Sequence, residues 1–244
     1  VNRIAMWSGP RNISTALMRS FENRPDCVVS DEPFYSHYLH KTGIDHPMRD
    51  EVIESGNTDW DSIAIELTGP IPKGKLIWYQ KHMAQHNLPG CDLGWVQKLT
   101  NCILIRHPKD VMLSYLEKYE IDSEDQLGYN QQLDLFKLLT DLDIPLLVID
   151  AADILINPGV MLRLICEKLG IPFFEEMLSW PAGIRANDGI WGKHWYGSVE
   201  VSTGFQPYIQ KSGNLQPEYQ DMYYACLESY KELYSHRIQR GIEL

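Results

Sequence analysis

The sequence predicts a three-layer α/β/α architecture around a central parallel sheet of about five strands. Three observations carry this expectation. Short apolar runs of strand length alternate with longer segments of helical spacing, the order that builds a parallel sheet covered on both faces. The run Ile144–Asp150 (IPLLVID) is almost continuously apolar, as a strand buried on both faces must be. The composition is ordinary for a globular chain, with 44% hydrophobic and 23% charged residues over 244 positions. That length supports one large domain, 1–244, with a substantial core.

The first strand is expected at Arg3–Trp7, broken by SGPRN and followed by a helix from Ser14 to about Asn23. Cys27–Ser30 reads as a second strand. The stretch from Phe34 to Thr68 mixes helical fragments with a turn at ESGN. It reads as an insertion, about 34–74, over one end of the sheet. Lys75–Tyr79 (KLIWY) is the third expected strand and Asn101–Ile105 (NCILI) the fourth. Pro108 stands where the first turn of a helix accepts it, and that helix is expected to reach about Tyr119. Leu133, Phe136 and Leu139 recur at helical spacing within a second helix, Ser123–Leu142. After the fifth strand, Pro158 opens a helix that Gly170 and Pro172 stop. The segment 179–213 is rich in Gly, Trp and turn residues, and long loops of this kind are usually functional. Gln216 to about Gln239 reads as the closing helix.

Charge and cysteine usage narrow the function classes. The 22 Lys+Arg against 33 Asp+Glu leave a net charge of −11, which repels nucleic-acid backbones and anionic lipid. A small anionic ligand is compatible with that charge, because backbone N–H groups and a few Arg suffice to hold one. The five cysteines are scattered, odd in number and without a CxxC pair, so neither a disulfide framework nor a zinc site is expected. No apolar run approaches the ~20 residues that span a bilayer, and the N-terminus goes straight into RIAMWSG with no basic-then-apolar signal segment. A cytoplasmic protein with no membrane partner is the expectation.

In a parallel sheet, ligands bind beyond the carboxyl ends of the strands. After the first strand comes SGPRNISTALMRSF. A strand, a tight turn and a helix N-terminus make an anion site. Gly9, Pro10, Asn12 and Ile13 shape its backbone. Arg11 adds a planar charged fork suited to phosphate or sulfate, and Ser14 and Thr15 add hydroxyls. The alternative is an ordinary loop capped by Ser14. After the fourth strand comes IRHPKDVMLSYL, where Arg106 and Ser114, eight residues apart, can grip a second phosphate. Read alone, that pair is better taken as a strand-end Arg in a surface ion pair and a Ser within a helix.

Together, SGPRNISTAL and RHPKDVMLSY resemble the two signatures of the sulfotransferases that use 3′-phosphoadenosine 5′-phosphosulfate (PAPS). The first resembles that family's 5′-phosphosulfate loop. The second resembles its 3′-phosphate motif, an Arg, then Pro-Lys-Asp-Val, then a Ser eight positions after the Arg. LLVIDAADILINPGVMLRLICEKLGIPF (Leu146–Phe173) is similar to a third family segment. The resemblance implies the P-loop NTPase-like sulfotransferase fold and sulfuryl transfer from PAPS to a hydroxyl or amine of a small-molecule or carbohydrate acceptor. The implied chemistry requires no metal, and the net charge argues against a nucleic-acid partner. Ile13 stands where the family usually has Gly, which predicts a different local conformation or a more distant anion. Lys193, in IWGKHWYG, stands in for the family's late basic loop over the nucleotide. Trp191 and Trp195 beside it are expected as lid or core residues.

Sulfuryl transfer needs in-line positioning and charge stabilisation, as phosphoryl transfer does. Arg11 is the expected cation at the reacting oxygens. Two residues qualify as the base. His82, with Lys81 beside it in YQKHMAQH, matches a family Lys-x-His cluster and is preferred. Glu32 in SDEPFY is the second candidate and needs a raised pKa or a well-placed hydroxyl. Asp31 is expected to be structural, His86 a surface residue, and His37, His40 and His46 residues of an acceptor pocket. The rival readings are an ATP-dependent P-loop kinase and a non-catalytic nucleotide-binding module of the same fold. The kinase motif GxxxxGK[ST] is absent.

Overall fold

The computed structural model describes residues 2–239. Five strands, β1 (Asn2–Ser8), β2 (Cys27–Asp31), β3 (Ile77–Met83), β4 (Thr100–Ile105) and β5 (Leu146–Asp150), form one sheet in the order β2-β3-β1-β4-β5. All four pairings are parallel. Eleven α-helices among the described residues surround it: α1 (Ser14–Glu22), α2 (Tyr35–Thr42), α3 (Arg49–Ser55), α4 (Trp60–Thr68), α5 (Pro108–Tyr115), α6 (Tyr129–Asp141), α7 (Ala151–Ile156), α8 (Pro158–Lys168), α9 (Gly192–Trp195), α10 (Gly197–Glu200) and α11 (Gln220–Ser235).

Side chains alternate across the strands, so each strand feeds two cores. On one face Trp7, Val28, Ile103 and Val148 pack with α4, α5, α6 and α11. On the other Met6, Val29, Tyr79 and Leu104 pack with α1, α7 and α8. Each fully buried Leu or Met contributes roughly 1.5–3 kcal/mol, which is why continuous apolar runs settle in this sheet. A third, smaller cluster joins α2 and α3 to the late segment through Tyr35, Tyr38, Leu39, Val52, Trp191 and Tyr196. The insertion and the late loop, expected as separate features, therefore meet.

The structure corrects several boundaries. β3 begins at Ile77 and continues through Met83, four residues beyond the expected end at Tyr79. Gln80, Lys81 and His82 are polar, but each has a partner in the interior. Gln80 Nε2 donates to the Leu67 carbonyl at 2.8 Å, and β1 pairs Met6 with Lys81 and Trp7 with His82. The helix expected over Ser123–Leu142 divides into a 3-10 turn at Glu124–Leu127 and α6. Gly128 at φ +77° separates them, a left-handed conformation that ends a helix. α7 was not expected; Asp150 caps it by accepting from Ala152 N at 2.8 Å. A 3-10 turn at Pro217–Tyr219 precedes α11, and beyond α11 Ile238 N donates to Val148 O at 2.8 Å, covering the β5 edge.

Candidate active site

The turn between β1 and α1 is tight because its neighbours leave no room. A Cβ on Gly9 would stand 2.4 Å from the Leu127 carbonyl oxygen. Arg11 follows at φ +52°, the left-handed region that non-glycine residues rarely occupy. Asn12 Nδ2 ties the turn to β4 by donating to Leu104 O at 2.9 Å, and Asn12 Oδ1 accepts from Ile13 N at 2.8 Å. Ile13 has an ordinary φ of −87° and packs its side chain against the α1 core. The left-handed residue is thus Arg11, and Ile13 needs none of glycine's freedom. No side chain caps α1 and no acidic residue lies in its first turn, so its first-turn amides and positive dipole end are left for an anion.

β4 delivers the second half of the site. Arg106 Nη1 donates to Arg11 O at 2.7 Å, and Arg11 Nε donates to Ser114 Oγ at 3.1 Å. Tyr129 OH holds the Arg106 carbonyl at 2.7 Å. Arg11, Arg106 and Ser114, separated by up to 103 positions, are brought into one cluster. Asp110, in the first turn of α5, accepts from Tyr208 OH at 3.3 Å and from Lys211 N at 3.1 Å. These contacts bring the end of the late segment to this helix, and the sequence offered no signal for them.

β2 and β3 supply the opposing wall. Lys81 is buried and donates to Glu32 Oε1 at 2.5 Å, Tyr196 OH at 2.8 Å and Asp31 Oδ1 at 2.9 Å. Tyr196 OH lies 2.8 and 2.7 Å from the two Asp31 oxygens, and Gly189 N donates to Asp31 Oδ2 at 3.1 Å. Asp31 is therefore spent on structure, as expected. Burial disfavours the Lys81 charge, but the Asp31 and Glu32 carboxylates outweigh it and hold Lys81 protonated above its usual range. Burial pushes the Glu32 carboxyl above its ordinary value, with Lys81 pulling the other way. Glu32 too has positive φ, 42°.

The other sequence candidates are placed differently. His82 is 1% exposed on the β3 face opposite Lys81. Its ring stacks on Trp7 at 4.2 Å, its Nε2 donates to Gln80 Oε1 at 3.2 Å, and burial lowers its pKa to about 3. The structure does not bring it to the cavity, because β3 runs on through residue 82 and the pleat turns that side chain to the far face. His86 is not a surface residue: it is 3% exposed and stacks on Tyr35 and Tyr38 with ring centroids 5.2 and 4.7 Å apart. His46 lines the cavity, His37 Nδ1 donates to Thr58 O at 2.8 Å, and His40 is exposed. Lys193 is exposed and outside the cavity wall, which the same segment lines with Trp195 and Tyr196 instead. Trp191 is a core residue, edge-on to Tyr35.

A cavity of about 230 Å³ joins these walls. It is lined by Arg11, Ser14, Thr15, Arg106 and Ser114, by Glu32 and Lys81, and by the aromatic rings of Tyr35, Tyr38, Tyr115 and Trp195. Two guanidinium groups, three hydroxyls and an uncapped helix start are donors of the kind that suits anionic oxygens, and a carboxylate with a raised pKa is chemically able to accept a proton. A family model described as the sulfotransferase domain matches residues 2–236. The chain belongs to the sulfotransferase family. The sulfotransferase domain is 33% and 34% identical, over 96% of its length, to branched-chain-amino-acid aminotransferase-like proteins 2 and 1 of Arabidopsis thaliana. It spans only 41% and 42% of those relatives. Its fold is similar to a sulfotransferase from Alicyclobacillus acidocaldarius (TM-score 0.57, 11% identity, 98% of this chain and 97% of that one). It is also similar to the sulfotransferase domain from the curacin biosynthetic pathway (TM-score 0.51, 14% identity, 92% and 96%). Among the described residues of the sulfotransferase domain, no group of three or more His, Cys, Asp or Glu is placed to hold a metal ion. No helix there is long and apolar enough to cross a membrane.

Proposed function

We propose that the domain moves a sulfuryl group from PAPS to a hydroxyl of a small-molecule acceptor. The observation that carries this reading is the convergence of Arg11, Arg106 and Ser114 in a cavity that Glu32 also lines. The donor set fits the group: Ser14, Thr15, Arg11 and the uncapped α1 amides suit a 5′-phosphosulfate, and Arg106 with Ser114 suits a 3′-phosphate. The aminotransferase-like names belong to chains more than twice as long, so the reading concerns the shared stretch.

The PAPS donor supplies an activated sulfur–oxygen bond. Arg11 neutralises charge on the departing phosphate oxygen as that bond breaks. Glu32 takes the acceptor's hydroxyl proton as the new sulfur–oxygen bond forms, leaving 3′-phosphoadenosine 5′-phosphate. Only Oε1 of Glu32 is engaged by Lys81, which orients the carboxylate and leaves Oε2 for the proton. We assign the base to Glu32 in place of His82, whose ring sits on the opposite face of the sheet and stays neutral.

Calorimetric titration with 3′-phosphoadenosine 5′-phosphate tests the donor site, with ATP and Mg²⁺ in parallel. Tight product binding, weak ATP binding, and a loss of roughly 1.5–3 kcal/mol or more in Arg106→Ala are expected, the usual range for a charged hydrogen bond. Good ATP binding without product binding would transfer the reading to a kinase.

A further inference from the structure

α6 buries one stripe of side chains: Tyr129, Gln132, Leu135, Phe136 and Leu139. Spacings of three and four residues put them on one side of the helix. Gln132 is the carboxamide in that stripe, and it is 1% exposed. A polar group buried among apolar neighbours is costly unless it is hydrogen-bonded. Gln132 Nε2 donates to Trp7 O at 3.1 Å and to Leu104 O at 2.9 Å. Both carbonyls stand where β1 and β4 part, since their paired register ends at Ser8 and Leu104. One turn earlier on α6, Tyr129 OH donates to Arg106 O at 2.7 Å. Just before the helix, the Leu127 carbonyl closes over Gly9. The start of α6 therefore braces both strand ends and the loops beyond them. Trp7 stands four positions before Arg11, and Leu104 two before Arg106.

We propose that Gln132, with Tyr129, is a positioning residue that sets the distance between Arg11 and Arg106. The inference rests on the PAPS reading, which gives the two arginines opposite ends of one nucleotide. Its 5′ and 3′ groups are carried by a single ribose, so a bisphosphate reaches full affinity only when both cations meet it at once. The arginines do not set that distance by themselves: like charges repel, and Arg11 is held at positive φ. Arg106 Nη1 on Arg11 O makes one tie between the two loops. Leu104 O makes the second, because a carbonyl has two lone pairs. It accepts from Asn12 Nδ2 in the β1–α1 turn and from Gln132 Nε2 on α6. Gln132 then carries the brace across to β1 through Trp7 O. An apolar side chain of the same length fills the space but leaves Trp7 O without that donor, and the two strand ends are free to shift.

The test titrates three nucleotides into the full chain by calorimetry: 3′-phosphoadenosine 5′-phosphate, adenosine 5′-phosphate and adenosine 3′-phosphate. Thermal unfolding without ligand runs beside it. In the parent the bisphosphate is expected to bind much more tightly than either monophosphate. Gln132→Met keeps the length of the side chain and removes its donors. It should cut the preference for the bisphosphate at least about tenfold, with each monophosphate within about twofold of its parent affinity. Tyr129→Phe removes one hydroxyl and should cut the preference in the same direction by less. Ile165→Val, in the α8 core on the other face of the sheet, controls for a plain loss of stability: it lowers Tm and leaves the preference unchanged. If Gln132→Met does not fold, Tyr129→Phe decides alone. A preference that survives the variants, an equal loss for all three nucleotides, or the same loss in Ile165→Val overturns the positioning role and leaves the PAPS reading standing. No preference for the bisphosphate in the parent overturns the PAPS reading, and the positioning role with it.

Discussion

Arg11 and Glu32 are both held at positive φ, and both stand at the cavity. Strain of this kind costs of order 1–3 kcal/mol per residue and persists where the surroundings over-determine it. Here Arg106 and Ser114 hold Arg11, and Lys81 holds Glu32. If Glu32 is the base, Glu32→Gln lowers kcat about 10²–10⁴-fold while product binding persists, measured by turnover beside calorimetry. Its raised pKa sets the sign of the pH profile. Activity falls as pH drops through that value, so the acid limb of kcat/KM begins at a higher pH than an ordinary carboxylate gives. His82 acts on stability instead. Its folded pKa, about 3, lies below the unfolded value of 6.5, so the unfolded chain takes up the proton first. Stability is full above pH 6.5 and falls as pH drops toward 3, by up to about 1.4 kcal/mol per pH unit. Denaturant unfolding at pH 7 and pH 5 should show a smaller difference in His82→Gln than in the parent.

At the scale of elements, the length of β3 decides which histidine can do what. Its extra four residues put Lys81 on the cavity face and His82 on the Trp7 face, since successive side chains point to opposite sides. A strand ending at Tyr79 would leave His82 in a loop, free to approach the cavity. The β1–α1 turn is the second such element. Gly9 passes under the Leu127 carbonyl, so a Cβ there displaces the 3-10 turn that precedes Gly128. Gly9→Ala is expected to cost about 1–3 kcal/mol in thermal unfolding, an overpacking penalty, and to weaken product binding as the turn shifts. An unchanged Tm together with unchanged binding would mean that the turn yields freely.

At the scale of the molecule, the late segment is pinned to the sheet by charge. Arg19, buried in α1, reaches Asp188 at 2.6 Å, and Asp31 takes the Gly189 amide and the Tyr196 hydroxyl. Three distant stretches of chain thus close the cavity around Lys81. Removing one hydroxyl loosens this closure. Tyr196→Phe leaves the buried Asp31 and Lys81 each one partner short, at a cost of about 1–3 kcal/mol. Limited proteolysis should then cut faster within 181–190 than in the parent, and equal rates would mean that the remaining ties, Arg19–Asp188 and Gly189–Asp31 among them, hold the segment without the hydroxyl.

The alternation of apolar runs with helical spacing was sufficient for the parallel α/β/α sheet, because burial on both faces leaves a pattern that local sequence carries. Four of the residues proposed to bind the anion were legible for the same local reason: Arg11, Ser14, Thr15 and Arg106 lie at strand ends and a helix start, where the chain itself points them. Ser114, in the last turn of α5, was legible only through its spacing from Arg106. The preference for Glu32 over His82 as the proposed proton acceptor, the burial of His86 and the Tyr196 anchor were not legible. Their roles depend on where polar residues such as Gln80, Lys81 and His82 find partners far along the chain. A polar residue in a strand looks like a loop residue until its partner is known. Only the tertiary structure supplies that partner, and with it the face on which each side chain is spent.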